Sequence, residues 1–216
     1  QLILFLFLIG FTSQAQKSTY KFNKVSRDVK KEAKRYTKEG WFVFPGNPPI
    51  EQQLNQSFIK QSEADKDGFP IWLVANGSSL GQTLAAAEMQ ALELAKNSLV
   101  GLMETNLKSV IETDISNNQL NAEEAISLTK TMQVSTNKVS KKLGRVTTLL
   151  KIYRKINNNF EVQVMIGYNY DLVRKLILEE MKTEMQNETK EMRDKFDKYL
   201  NPELYNEGEI KNYDEN

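Results

Sequence analysis

The chain has 216 residues, with 29 Lys and Arg against 28 Asp and Glu for a formal net charge of +1. That length can bury a sizeable core in one domain, and the even balance gives no general attraction for nucleic acid. His and Cys are both absent, which excludes disulfides, thiol nucleophiles, Ser-His-Asp and Cys-His catalysis, and thiolate or His-based zinc sites.

Leu2 to Phe11 is almost unbroken hydrocarbon, followed by Ser13-Gln14-Ala15 with small side chains near a cut. That is the pattern of a secretory signal peptide over 1–15, too short for the roughly 20 residues of a membrane span. The chain opens without Met or a basic lead-in, so residues before Gln1 are expected. The mature protein is expected to start near Gln16 and to be exported, periplasmic or outer-membrane-associated in a bacterium.

Residues 17–39 carry nine Lys or Arg against three acids. Ser26 is expected to cap a helix with Val25, Val29, Ala33 and Tyr36 on a narrow apolar stripe, ended by Gly40. Such a helix docks lightly and shows a basic face. Trp41 to Phe44 reads as a short strand, stopped by Pro45-Gly46-Asn47-Pro48-Pro49. Ile50 to Ser62 reads as a helix with Leu54 and Phe58 inward. Ile71 to Ala75 is a buried strand, with Asn76-Gly77-Ser78-Ser79 as its stop.

Thr83 to Glu112 is expected to be the core helix, because Leu84, Ala87, Ala91, Leu94, Ala95, Leu99, Leu102 and Met103 form a wide apolar stripe. A weaker helix over Ala122 to Lys141 follows. Thr147 to Tyr153 and Phe160 to Tyr168 form a hairpin about Asn157-Asn158-Asn159, with one face buried and the other outward. Asp171 is expected to cap one long final helix reaching Tyr199, stopped by Pro202. An acidic tail over 202–216 closes the chain. The expected fold class is α+β: a small, mainly antiparallel sheet on the Ala-rich helix, with a long C-terminal helix. The segments are the basic helix over 16–40, the α+β domain over 41–178 and a helical extension over 179–201.

Gly40-Trp41-Phe42-Val43-Phe44-Pro45, Ala75-Asn76-Gly77-Ser78, the Ala-rich run Leu84 to Ala95 and Glu161 to Ile166 occur in an order that resembles an envelope family. It is the Lpp-twenty family of bacterial surface lipoproteins, to which the amino-terminal domain of the flagellar assembly protein FlgT is similar. The resemblance spans roughly residues 40–178 and implies a small α+β domain without catalytic residues, acting in envelope assembly or surface display. The chain departs from the lipoprotein members in having no Cys to acylate.

Five candidate features follow. Lys30, Lys31, Lys34, Arg35 and Lys38 offer contact with an anionic lipid or polysaccharide, against a simple solvated face. Trp41, Phe42, Phe44 and Trp72 offer a glycan or peptide groove, against ordinary core packing. Met185, Met192, Phe196 and Tyr199 lie along a partial heptad, broken at Glu188, that could pair with another helix or a second copy. Asn76 to Gly81 could cradle an anion at a helix start, against a plain turn. Glu88 with Glu93, or Glu179 with Glu180, could supply paired carboxylates for sugar hydrolysis, against surface solvation. The reading preferred is an exported, non-enzymatic envelope protein acting by binding or scaffolding. Its partner would be an envelope protein or anionic envelope surface, with no nucleic acid and no cofactor. The alternatives are a glycan hydrolase and a periplasmic peptide or small-ligand binder.

Overall fold

The computed structural model describes residues 26–66, 68–116 and 120–200. The expected leader over 1–15, Val25 and the tail over 202–216 lie outside them. The fold is α+β, as expected. The elements in order are α1 (Arg27–Lys38), β1 (Phe42–Val43), α2 (Ile50–Ser62), β2 (Trp72–Gly81), α3 (Leu84–Ser116) and α4 (Ala122–Lys142). Then come β3 (Thr147–Ile156), β4 (Asn159–Asn169), α5 (Tyr170–Glu184), a 3-10 turn (Met185–Asn187) and α6 (Lys190–Tyr199). The four strands lie in the order β1-β3-β4-β2, antiparallel throughout. Asn157 takes the positive φ of 53° that the tight β3–β4 turn requires.

Asn76-Gly77-Ser78-Ser79 does not end β2 but continues it to Gly81. Close packing explains the glycine. Ala87, Ala91 and Ala95 of α3 are fully buried against the sheet. They bring the helix so near that a Cβ on Gly77 would lie 2.0 Å from the Ala91 carbonyl oxygen and 2.5 Å from the Ala95 nitrogen. Glycine in a strand marks a bend or a close approach of another backbone, and here it is the approach.

The far face of the hairpin is covered rather than outward. Beneath α3 lies the larger core, with Leu73, Ala75, Val162, Val164 and Ile166 of the sheet facing Ala91, Leu99 and Met103. On the opposite face Leu150 and Ile152 meet Val29, Ala33 and Tyr36 of α1, Trp41, and Ile50 and Leu54 of α2. The sheet is thus sandwiched between helices, and α1 docks firmly: Val29 is 1% exposed. A register shift between Thr148 and Leu150 buries both Leu149 and Leu150, which hid the alternation of β3. Gln163 of β4 donates to the Tyr36 hydroxyl at 3.1 Å, tying α1 to the sheet.

The C-terminal helix differs from the expected one in its cap and its continuity. Asn169, not Asp171, caps it, accepting the Leu172 N–H at 3.0 Å. Nor is it continuous: after the 3-10 turn, Thr189 caps a separate α6 by accepting the Met192 N–H at 3.3 Å. The break in the heptad at Glu188 is therefore a break in the helix. α6 lies against the body of the protein. Lys195 pairs with Glu124 of α4 at 2.5 Å, and Arg174 donates to the Leu200 carbonyl at 3.0 Å.

Candidate functional site

The α1 side chains divide into three flanks by helical spacing. Val29, Ala33 and Tyr36 face the core. Lys30, Lys31, Lys34 and Lys38 are exposed along a second flank, and Arg27, which the sequence reading passed over, lies exposed among them. None of these cations is in an ion pair among the described residues. Arg35 departs from the expected set. It stands on the third flank, bidentate to Glu32 and bonded to Glu39 at 2.8 Å. Its hydrogen bond lowers the pKa of the Glu32 carboxyl, so the cluster stays ionised, and with two carboxylates on one guanidinium it adds no positive charge to the helix. The free charge is carried by the lysines.

At the foot of this flank, α1, β1 and the start of α2 enclose an open groove of about 610 Å³, bordered by Lys34, Lys38, Trp41, Phe42 and Ile50. The candidate aromatics thus separate. Phe42 is 60% exposed at the sheet edge, beside the two lysines. Trp41 is 6% exposed in the smaller core, under the Arg154 guanidinium at 4.6 Å, and its buried indole N–H has no acceptor among the described residues. Phe44 is buried beneath α3, edge-on to Tyr153 at 5.2 Å, with the Lys151 ammonium 4.7 Å from its ring. Trp72 is half-buried elsewhere, donating to Glu63 at 2.7 Å. Among the described residues, the groove beside Trp41 is lined by neither Phe44 nor Trp72.

The C-terminal candidates are the chain's own core. Met185 and Phe196 are each 1% exposed, and Met192 packs against the same cluster. Tyr199 is the last residue of α6. Met185, Met192 and Phe196 are therefore occupied and offer no seam to a second helix. The Asn76 to Gly81 segment is strand, so it cradles no anion at a helix start.

The acids do not converge either. Glu88 pairs with Lys151 of β3 at 2.7 Å, while Glu93, on another flank of α3, pairs with Lys96 at 3.0 Å. Glu180 bonds to Lys142 at 2.8 Å and Lys138 at 3.4 Å of α4, with Glu179 exposed beside it. These hydrogen bonds, Lys142 first, keep the Glu180 carboxyl below the usual range and so ionised, the opposite of a proton donor. Among the described residues no three acids gather as a metal site, and no helix is long and apolar enough to cross a membrane.

No protein-family model matches the chain, and comparisons with curated proteins and with solved structures find no significant match.

Proposed function

We propose that this chain is an exported cell-envelope protein that works by binding, with α1 as its contact to an anionic envelope surface. One juxtaposition carries the reading: four lysines on one exposed flank, without an ion pair among the described residues, end beside the exposed ring of Phe42. Clustered cations attract an anionic surface, and an exposed aromatic ring at their end can enter its apolar boundary. The remainder of the fold serves as a rigid mount, since α1 is fixed by Val29, Ala33 and Tyr36 against the sheet. The likeness to surface lipoproteins supports the same location, with lysines in place of an acyl chain.

Fractionation of the host tests it. The full chain is expected in the membrane fraction and released by a high-salt wash, because the screening length of exposed charges falls from about 10 Å at 0.1 M salt to about 3 Å at 1 M. A variant with Lys30, Lys31, Lys34 and Lys38 changed to Glu is expected in the soluble fraction, folded as before. Wild-type protein that resists salt, or a variant that stays bound, would contradict the proposal.

A further inference from the structure

We infer that the open edge of β2 joins a second copy of this chain, giving a two-fold dimer with one continuous eight-stranded sheet. The two edges of the sheet are treated differently. Beside β3, the short β1 pairs with Ile152 and Tyr153, and the side chain of buried Gln53 accepts the Lys151 N–H at 2.7 Å in place of a strand. Arg154 donates to the Glu39 carbonyl on the same edge. The other edge has no such cover among the described residues. β2 runs ten residues from Trp72 to Gly81 without a charge or a proline, and both are the usual means of blocking an edge.

The register admits a copy of the chain as the partner. Ile71 accepts the Tyr170 N–H at 2.9 Å, while its own N–H goes to the Glu63 carbonyl at 3.0 Å, so the carbonyl of residue 71 points to the β4 side and fixes the parity of the ladder. Antiparallel pairs alternate, and the pairing of 72 with 169 continues without a shift to 81 with 160. The backbone groups of Trp72, Val74, Asn76, Ser78 and Leu80 therefore point out of the sheet. That set is symmetric about Asn76. An antiparallel copy pairs 76 with 76, 74 with 78 and 72 with 80, and lays Leu80, 52% exposed, against the partner's Trp72.

The helix above the edge supplies an independent observation. Ser79 of β2 donates to Gln90 at 2.6 Å, which marks the flank of α3 that overlooks the edge; Glu88 faces the other way, to Lys151. By helical spacing, Ala86, Gln90, Leu94, Asn97 and Gly101 share that overlooking flank, and none is charged. Gly101 has nothing within 4 Å of a would-be Cβ. A glycine inside a helix costs about 1 kcal/mol relative to Ala, and nothing among the described residues requires it. α3 runs antiparallel to β2, with Gly81 at Ala87 and Gly77 between Ala91 and Ala95. The two-fold through Asn76 therefore passes near Leu94 and sets Gly101 opposite the small residues about Ala86 of the copy. The contact is roughly 30 Å long, by strand rise, and about 20 Å deep over strand and helix. It covers ~600 Å² per protomer, the lower end of specific interfaces.

The chain has no cysteine, so single substitutions read the register directly. In the mature chain, from Gln16 to Asn216, Asn76→Cys is expected to cross-link to dimer on mild oxidation. Facing pairs of this type stand about 5.5 Å apart, within disulfide reach. Ser78→Cys, displaced from its own copy by four residues, is expected to remain uncross-linked. Wild-type protein is expected to sediment as a dimer at micromolar concentration, and Ser78→Lys as a monomer with unchanged circular dichroism. A wild-type monomer would overturn the inference, whether its edge stays open or is taken by the chain's own residues 16–25. So would a dimer indifferent to Ser78→Lys, or cross-linking at 78 in preference to 76.

Discussion

Replacing Gly77 by Ala is expected to destabilise the protein by about 3 kcal/mol, the upper range for overpacking a filled interior. The added methyl would meet the backbone of α3 at Ala91 and Ala95, and no flexible side chain is there to give way. Either β2 must retreat from α3 or the helix must lift, and both open the contact among Ala75, Ala91 and Val164. Urea unfolding followed by circular dichroism measures the loss. For a domain of this size it corresponds to a fall in Tm of roughly 10 °C. Ser78→Ala is the control, exposed one residue on, and is expected to change stability by no more than about 0.5 kcal/mol. A Gly77→Ala protein within about 1 kcal/mol of wild type would mean that α3 does not rest on β2 as described.

Phe196→Ala is expected to cost about 3–5 kcal/mol, as for other large aromatic side chains removed from a core. Phe196 is the largest of the side chains under 2% exposed, and it anchors α6 together with Met185 and Leu200. Hydrogen exchange would show where the loss falls: α6 amides are expected to lose protection first, with the sheet following. Acid should reach the same joint. The Lys195 hydrogen bond, followed by the Asn121 N–H, holds the Glu124 carboxyl below its ordinary pKa of 4.5. The unfolded chain therefore takes up that proton at higher pH than the folded one. This contribution is complete above pH 4.5 and is lost as pH falls through the lower folded value. Lys195→Gln is expected to flatten that acid limb, and an unchanged limb would show that the Glu124 contact adds nothing.

How far the sequence discloses this molecule depends on whether a residue's role is local. Ser26 and the 3.6-residue spacing of Val29, Ala33 and Tyr36 describe α1 correctly, because capping and amphipathic burial are read within one turn. The Ala stripe likewise locates the core helix. What escapes is tertiary in origin. Gly77 reads as a turn residue unless it is known that a helix backbone lies above it. Leu149 and Leu150 break the alternation because of a bulge, and the second core under α1 and α2 is concealed with it. Met185, Met192 and Phe196 look like a seam for a partner because a heptad cannot reveal that Thr189 starts a new helix folded against α4. In the candidate site, the lysine flank is legible from spacing alone. The diversion of Arg35 to Glu32 and Glu39 was also open to the spacing rule for residues three and four apart. The placing of Phe42 beside Lys34 and Lys38 needed the fold.

Sedimentation with vesicles tests the surface contact of α1 most directly. Wild-type protein spanning residues 16–216 and the variant with Lys30, Lys31, Lys34 and Lys38 changed to Gln would be spun with vesicles of neutral and of anionic lipid, over a series of salt concentrations. Each lysine near an anionic surface contributes about 1 kcal/mol, so the four together are expected to raise partitioning at low salt by ~100-fold or more over the variant. That gain should fade with salt and be absent on neutral vesicles. Equal partitioning of the two proteins onto anionic vesicles would contradict the assignment of α1 as the contact.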